Sequence, residues 1–173
     1  MEPINFEQHL QTGNVVLFHT KFVWYSPMAW LAAIIRKITG YNYNHVGIIV
    51  NNWYAPAINE SNAKGVTPTP ALQRLRNRKI KIMKPKQAVV EDVFARRANS
   101  RWNLTDYDVW GLIFFQLIYQ TFGIWLASKR TSDNERLMTC AEYAAWCYKF
   151  AGWHTATPAI FEKSGLFEVI YEN

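Results

Sequence analysis

The sequence predicts an α+β domain in which an antiparallel sheet packs against helices. Three observations carry this. The runs His45–Val50 and Trp53–Glu60 flank Asn51-Asn52, and paired asparagines tolerate the left-handed backbone of a tight hairpin turn. Lys79–Lys84 and residues 166–171 read as further strands, the first by its alternation of basic and apolar side chains. Residues 139–151, TCAEYAAWCYKFA, read as a helix opened by a capping signal. With 173 residues, half of them hydrophobic, residues 1–173 are expected to form a single domain around a real core.

The remaining elements follow in order. Thr12-Gly13-Asn14 is a turn leading into the short apolar strand Val15–Phe18. Ser26 can cap a helix with Pro27 at its first position; Leu31, Ile34, Ile35 and Ile38 give it an apolar face and Gly40 ends it. Pro56 weakens the second hairpin strand and predicts an edge or a bulge. A short helix after Thr67-Pro68 is expected to end near Leu75, and another covers Gln87–Asn99. Segment 109–127, VWGLIFFQLIYQTFGIWLA, carries no formal charge over nineteen residues, nearly enough to span a bilayer. Gln116, Gln120 and two glycines interrupt it, so it reads as an apolar helical insert, buried, lining a cavity or touching a membrane surface.

Charge and cysteine usage bound the function. Of the net +6, segment 74–101 supplies +8, from ten Lys and Arg against Glu91 and Asp92, so the rest of the chain sums to −2. Such a stretch can meet an anionic surface such as lipid or a wall polymer, or simply be a solvated face. No nucleic-acid-binding motif is present, and no specific nucleic-acid binding is expected. The polar start MEPINFEQHLQTGN lacks a basic n-region and apolar core, which predicts a cytoplasmic protein, with membrane association or a place in a larger assembly left open. On one helix Cys140 and Cys147 would lie about 10 Å apart along the axis. That is too far for a disulfide, so both thiols should be free.

Thr139-Cys140-Ala141-Glu142 has the form of a capping box, with Cys140 as first helical residue. The positive end of the helix dipole beside the thiol favours the thiolate, which is the nucleophilic form. A small buried cysteine that happens to start a helix has the same pattern, and Cys147, between Trp146 and Tyr148, reads as core. A nucleophilic cysteine needs an imidazole and a group to orient it. Of His9, His19, His45 and His154, His45 opens the apolar strand HVGIIV, where its ring can face a cleft. A two-residue loop at Asn51-Asn52 would pair position 45 with 58 and 43 with 60, placing Glu60 on the face of His45, one diagonal step away. Glu60 is otherwise a surface residue at a strand end.

Here the sequence resembles a known family. YNHVGIIV, then NES fifteen residues after the histidine, then TCAE near the C-terminus are similar to the YiiX-like proteins. These are circularly permuted relatives of NlpC-type cell-wall cysteine peptidases with a papain-like fold. LQTGNVVLF, TDYDVWGL at 105–112 and TPAIFEKSGLFEVI at 157–170 extend the resemblance over about residues 10–171. It implies Cys140 as nucleophile, His45 as base and Glu60 as orienting acid, with Tyr107 positioning substrate or stabilising an oxyanion. The family's serine after the cysteine is Ala141 here.

Three readings follow. The first is a cysteine hydrolase cleaving an amide, in a peptide or cell-wall fragment, through a Cys-His-Glu triad and an acyl-enzyme. The second is a lipid-directed thiol acyltransferase or esterase of the lecithin retinol acyltransferase-like type. The third is a non-catalytic binding or structural module. No cofactor is expected and no metal, since no closely spaced Cys/His ligand pair is present.

Overall fold

The computed structural model describes residues 6–19, 24–25, 29–30, 33–34, 36–37, 40–51, 55–108 and 136–173. Its centre is a six-stranded antiparallel sheet built from β1 (Val15–Phe18), β2 (His45–Asn51), β3 (Pro56–Asn62), β4 (Gly65–Pro70), β5 (Ile80–Pro85) and β8 (Phe167–Glu172), in the order β4-β3-β2-β1-β5-β8. A second, parallel ladder joins β6 (Asp106–Tyr107) to β7 (Leu137–Met138). Four α-helices are delimited among the described residues: α1 (Ala71–Leu75), α2 (Glu91–Asn99), α3 (Cys140–Cys147) and α4 (Ala159–Lys163).

Both faces of the sheet are covered, which is why the central strand is apolar throughout. Val15 and Leu17 join Val46, Ile48, Val50 and Met83 in one core, under Phe94 and Ala98 of α2 and the alanines of α3. Val16 and Phe18 join Ile49, Ile58, Ile80 and Ile82 in the other, under Ala71 and Leu75 of α1. Strand periodicity sends alternate residues to opposite faces, and burying each large side chain contributes about 1.5–3 kcal/mol. All eight residues of α3 are buried. A helix apolar on every side is one enclosed by the protein, and Ala141, Ala144 and Ala145 let it lie close to the sheet.

Several expectations are corrected. Asn51 pairs with Pro56, so the hairpin loop is residues 52–55 and the register is Ile48↔Asn59, Ile49↔Ile58, Val50↔Ala57. Pro56 opens β3 between two neighbours rather than marking an edge or bulge, a position that needs no ladder donor from it. β4 was not foreseen because it carries Pro68 and Pro70; as an edge strand it can. The helix expected from Gln87 begins at Glu91.

The cysteine helix stops at Cys147 rather than 151. Lys149 takes a left-handed backbone (φ +58°), while the Phe150 and Lys149 N–H groups donate to the carbonyls of Ala145 and Trp146. This C-terminal cap is usually made with glycine. Residues 29–30, 33–34 and 36–37 are helical as expected, yet Ile34 is exposed rather than facing the core. Ser26, Pro27, Leu31, Ile35, Ile38, Asn52 and the apolar segment 109–127 lie outside the described residues. No helix among the described residues is long and apolar enough to cross a membrane.

The basic segment 74–101 does not form one face. Arg76, Arg78, Lys79, Lys84, Lys86 and Arg96 are exposed, but four others turn inward. Arg74 pairs with Glu60. Arg97 and Arg101 lie over the Trp146 ring, 4.0 and 4.6 Å from its centre. Lys81 is buried and reaches Glu162 at 2.5 Å and Glu172 at 3.3 Å. The Tyr41 and Tyr43 hydroxyls donate to the same two carboxylates, at 2.5 and 2.6 Å, fastening α4 and β8 to the segment that leads into β2.

Candidate active site

The site lies at the end of the sheet where β2 begins. The paired register of β2 and β3 runs to Ile48↔Asn59. His45 and Glu60 stand beyond it, where the two strands no longer need to match residue for residue. Glu60 Oε2 lies 2.6 Å from His45 Nε2. The same carboxylate accepts two hydrogen bonds from Arg74 of α1, Nε to Oε1 at 2.7 Å and Nη2 to Oε2 at 2.8 Å. The guanidinium is also 4.3 Å from the centre of the Phe18 ring, whose own centre is 5.7 Å from that of His45. The imidazole is thus packed on one side and bonded at one nitrogen.

The other partner of the ring is Cys140. Burial acts most strongly on His45 and would lower its pKa. Electrostatic attraction to Cys140 and a hydrogen bond with it, together with those of Glu60, outweigh it and push the ring up to about 10. Since Nε2 is committed to Glu60, Nδ1 is the nitrogen that faces the thiol. Burial would likewise raise the Glu60 carboxyl, but His45 and then Arg74 hold it down at about 2. The acid is therefore ionised over the whole neutral range.

Cys140 is placed by local sequence. The Thr139 N–H donates to Glu142 Oε2 at 2.7 Å and the Glu142 N–H to Thr139 Oγ1 at 3.3 Å, the expected capping box. Of the four N–H groups a helix start leaves without intrahelical acceptors, this box takes those of Thr139 and Glu142. Those of Cys140 and Ala141 keep no acceptor inside the helix. Ahead of the cap, β7 is held by Ser61, whose hydroxyl donates to the Met138 carbonyl at 2.7 Å.

Tyr107 comes from β6, opposite Met138. Its hydroxyl is pushed up by burial and then by the charges of Cys140 and Glu142, so it stays protonated. Gly65 makes this placement possible. It has φ +86°, and a Cβ there would stand 2.4 Å from the Thr105 carbonyl oxygen, two residues before Tyr107.

The four residues proposed from sequence therefore converge. His45 contacts both Glu60 and Cys140, and Tyr107 lies within the influence of Cys140. Cys147 is buried and free, with its thiol pushed up to about 12 mainly by burial. Arg74 is the residue sequence reasoning missed. Its signal was a single basic side chain on a short helix within a run of surface-like charges.

Comparison with known proteins agrees on the fold. No protein-family model and no curated protein matches the chain. Among solved structures, the crystal structure of the metalloprotein YiiX (DUF1105) from Escherichia coli O157:H7 superposes with a TM-score of 0.55 at 13% identity, over 94% of this chain and 97% of that one. The chain has a YiiX-like fold.

The donors of this site do not fit a metal ion. Both Glu60 oxygens accept from Arg74, and a cation would have to displace a guanidinium held by two short bonds. Among the described residues, no group of three or more His, Cys, Asp or Glu side chains is arranged to hold a metal.

Proposed function

We propose that the protein is a thiol hydrolase of the permuted, papain-like type, with Cys140 as nucleophile, His45 as general base and Glu60 as the acid that orients it. The observation that carries this reading is the position of His45, bonded through Nε2 to an ionised carboxylate and facing a helix-start thiol with its other nitrogen. A base must be oriented by one nitrogen and keep the other free to exchange a proton.

The chemistry follows from the geometry. Cys140 Sγ, having already passed its proton to His45 Nδ1, attacks an amide carbonyl, and the C=O π pair moves onto the oxygen. The oxyanion meets the Cys140 N–H at the helix start and the Tyr107 hydroxyl. His45 then protonates the departing amine as the C–N bond breaks, leaving a thioester. Water, deprotonated by His45, attacks that thioester, the C–S bond breaks and the acid is released.

A peptide or cell-wall amide is the proposed substrate. A lipid ester is the second reading, favoured by the exposed aromatic side chains Trp24, Tyr25 and Trp30.

The direct test is the rate of iodoacetamide alkylation at Cys140, followed by mass spectrometry at near-neutral pH. His45→Ala should slow it at least tenfold, on the order expected when the partner that activates a thiolate is lost. An unchanged rate would remove the basis of the proposal. Trapping of an acyl adduct on Cys140 by peptides or by phospholipids then separates the two substrate classes.

A further inference from the structure

His45 is the first residue of β2, and its backbone is paired on one side only. Phe18 of β1 is its partner there, while the register with β3 starts at Ile48↔Asn59. The four residues before it, Tyr41 to Asn44, belong to no helix or strand. An irregular entry of this kind leaves the direction of the imidazole loosely set unless other contacts fix it.

Each of the four residues is held, and by a different group. The Tyr41 hydroxyl donates to Glu162 of α4 at 2.5 Å. The Asn42 carbonyl accepts from His19 Nδ1 at 2.8 Å. The Tyr43 hydroxyl donates to Glu172 of β8 at 2.6 Å. The Asn44 N–H donates to the Phe18 carbonyl at 3.1 Å. Lys81 of β5 ties the two carboxylates together, 2.5 Å from Glu162 and 3.3 Å from Glu172, and its ammonium stands 5.0 Å from the centre of the Tyr43 ring.

Tyr43 is the side-chain anchor nearest the base. It is 4% exposed, in the core that also holds Cys140. A phenylalanine would fill that core position equally well, so the hydroxyl serves the bond to Glu172. Hydrogen bonds to an ionised carboxylate are shorter and stronger than neutral ones. Tyr41 makes the same kind of bond to the same network, but it is half-buried and lies two residues further from His45, with Asn42 and Tyr43 anchored between.

We propose that Tyr43 and Glu172 are positioning residues for the base: their bond fixes the entry to β2 and so the direction in which His45 presents Nδ1 to Cys140. This role rests on the reading of His45 as the base. It makes β8, from the far end of the chain, part of the support of the site.

The test compares Tyr43→Phe with Tyr41→Phe. The Glu172 and Glu162 side chains are 46% and 33% exposed, so water can reach the oxygen each variant leaves, and both should fold with similar small losses of melting temperature. The first readout is the rate of Cys140 alkylation across pH. Tyr43→Phe should slow it about threefold or more near neutral pH, a modest part of the roughly hundredfold that a 1 Å misplacement can cost. Tyr41→Phe should leave it unchanged. Tyr43→Phe should add no further slowing in a Glu172→Ala background, since the two residues act as one unit. The second readout needs no thiol: nitrogen NMR of the His45 ring in the Cys140→Ser variant, where Glu60, backed by Arg74, is the charged partner left to the ring. Adding Tyr43→Phe should lower its titration midpoint by about half a unit or more, as the bond to Glu60 loosens. The role is overturned if Tyr43→Phe matches its parent in both readouts. It is equally overturned if Tyr41→Phe slows alkylation as much for the same loss of melting temperature, which would make the network a structural one only. If His45→Ala leaves alkylation unchanged, the hydrolase reading falls, and the titration of the ring still decides whether Tyr43 positions it.

Discussion

Ser61 donates its hydroxyl hydrogen bond to the carbonyl of Met138 at 2.7 Å, joining the residue after Glu60 to the residue two before Cys140. The acid and the thiol, eighty positions apart in sequence, are thereby fixed to one another through a few covalent bonds and one buried hydrogen bond. Ser61→Ala should cost about 1 kcal/mol of stability, since the Met138 carbonyl keeps only the longer bond from the Asp108 N–H at 3.4 Å. Urea denaturation measures the cost. The same variant should slow Cys140 alkylation without touching any proposed catalytic group.

Arg74 supports Glu60 in a setting where little water can replace it: the two side chains are 15% and 5% exposed. Arg74→Met should destabilise by about 3 kcal/mol or more, because it strands a buried carboxylate. Arg74→Lys should recover part of this, since an ammonium cannot reproduce the two-pronged bond. In Arg74→Met the Glu60 carboxyl should titrate above its native value of about 2, which carboxyl-carbon NMR would register.

The stability profile against pH should have a plateau with two shoulders. Glu60 falls from 4.5 to about 2 on folding, so its contribution is complete above pH 4.5 and is lost as pH drops toward 2. His45 rises from 6.5 to about 10, so its contribution is complete below pH 6.5 and is lost as pH climbs toward 10. His45→Ala should flatten the decline between 6.5 and 9, above which Cys147, raised from 9.0, adds its own. Glu60→Gln should make the acid shoulder shallower without abolishing it, because Glu162 is also held down, by Lys81 and Tyr41 against the opposing effect of burial. Thermal melts across the range test both shoulders.

The two cysteines should differ sharply toward alkylating agents. With its thiol at about 12, Cys147 is roughly one part in 10⁵ thiolate at pH 7. Labelling with iodoacetamide in the folded state should modify Cys140 first, and Cys147 only as the protein unfolds. Mass spectrometry of the digested protein would report equal labelling if this were wrong.

Much of this arrangement was legible because it is local. The capping box and the strand Val15–Phe18 need only neighbouring residues. The hairpin shows how an imperfect reading kept the right answer. The expected two-residue loop is in fact four residues long, which shifts the partner of any β2 position by four. An even shift preserves the face, so Glu60 still falls beside His45.

Features set at a distance were hidden. Nothing near Arg74 in sequence reveals that a carboxylate waits fourteen residues back across two strands. Lys81 looks like any strand lysine until Glu162 and Glu172 close over it. β6 and β7 are two residues each and exist only because they find one another. The cysteine helix ran too long in the sequence reading because Lys149 does the work of a glycine there.

The order of these pieces along the chain has a consequence for biosynthesis. His45, Glu60 and Arg74 are all made before Cys140, and the contacts among them close short loops quickly. The thiol arrives sixty-six residues after Arg74, and its helix can dock only when β7 has met β6 and Ser61. A nascent chain therefore carries its base and acid through eighty residues of synthesis with nothing for them to activate. Any reactivity of the centre begins when the cysteine helix closes over strands β1 to β5, all of which precede it in the chain.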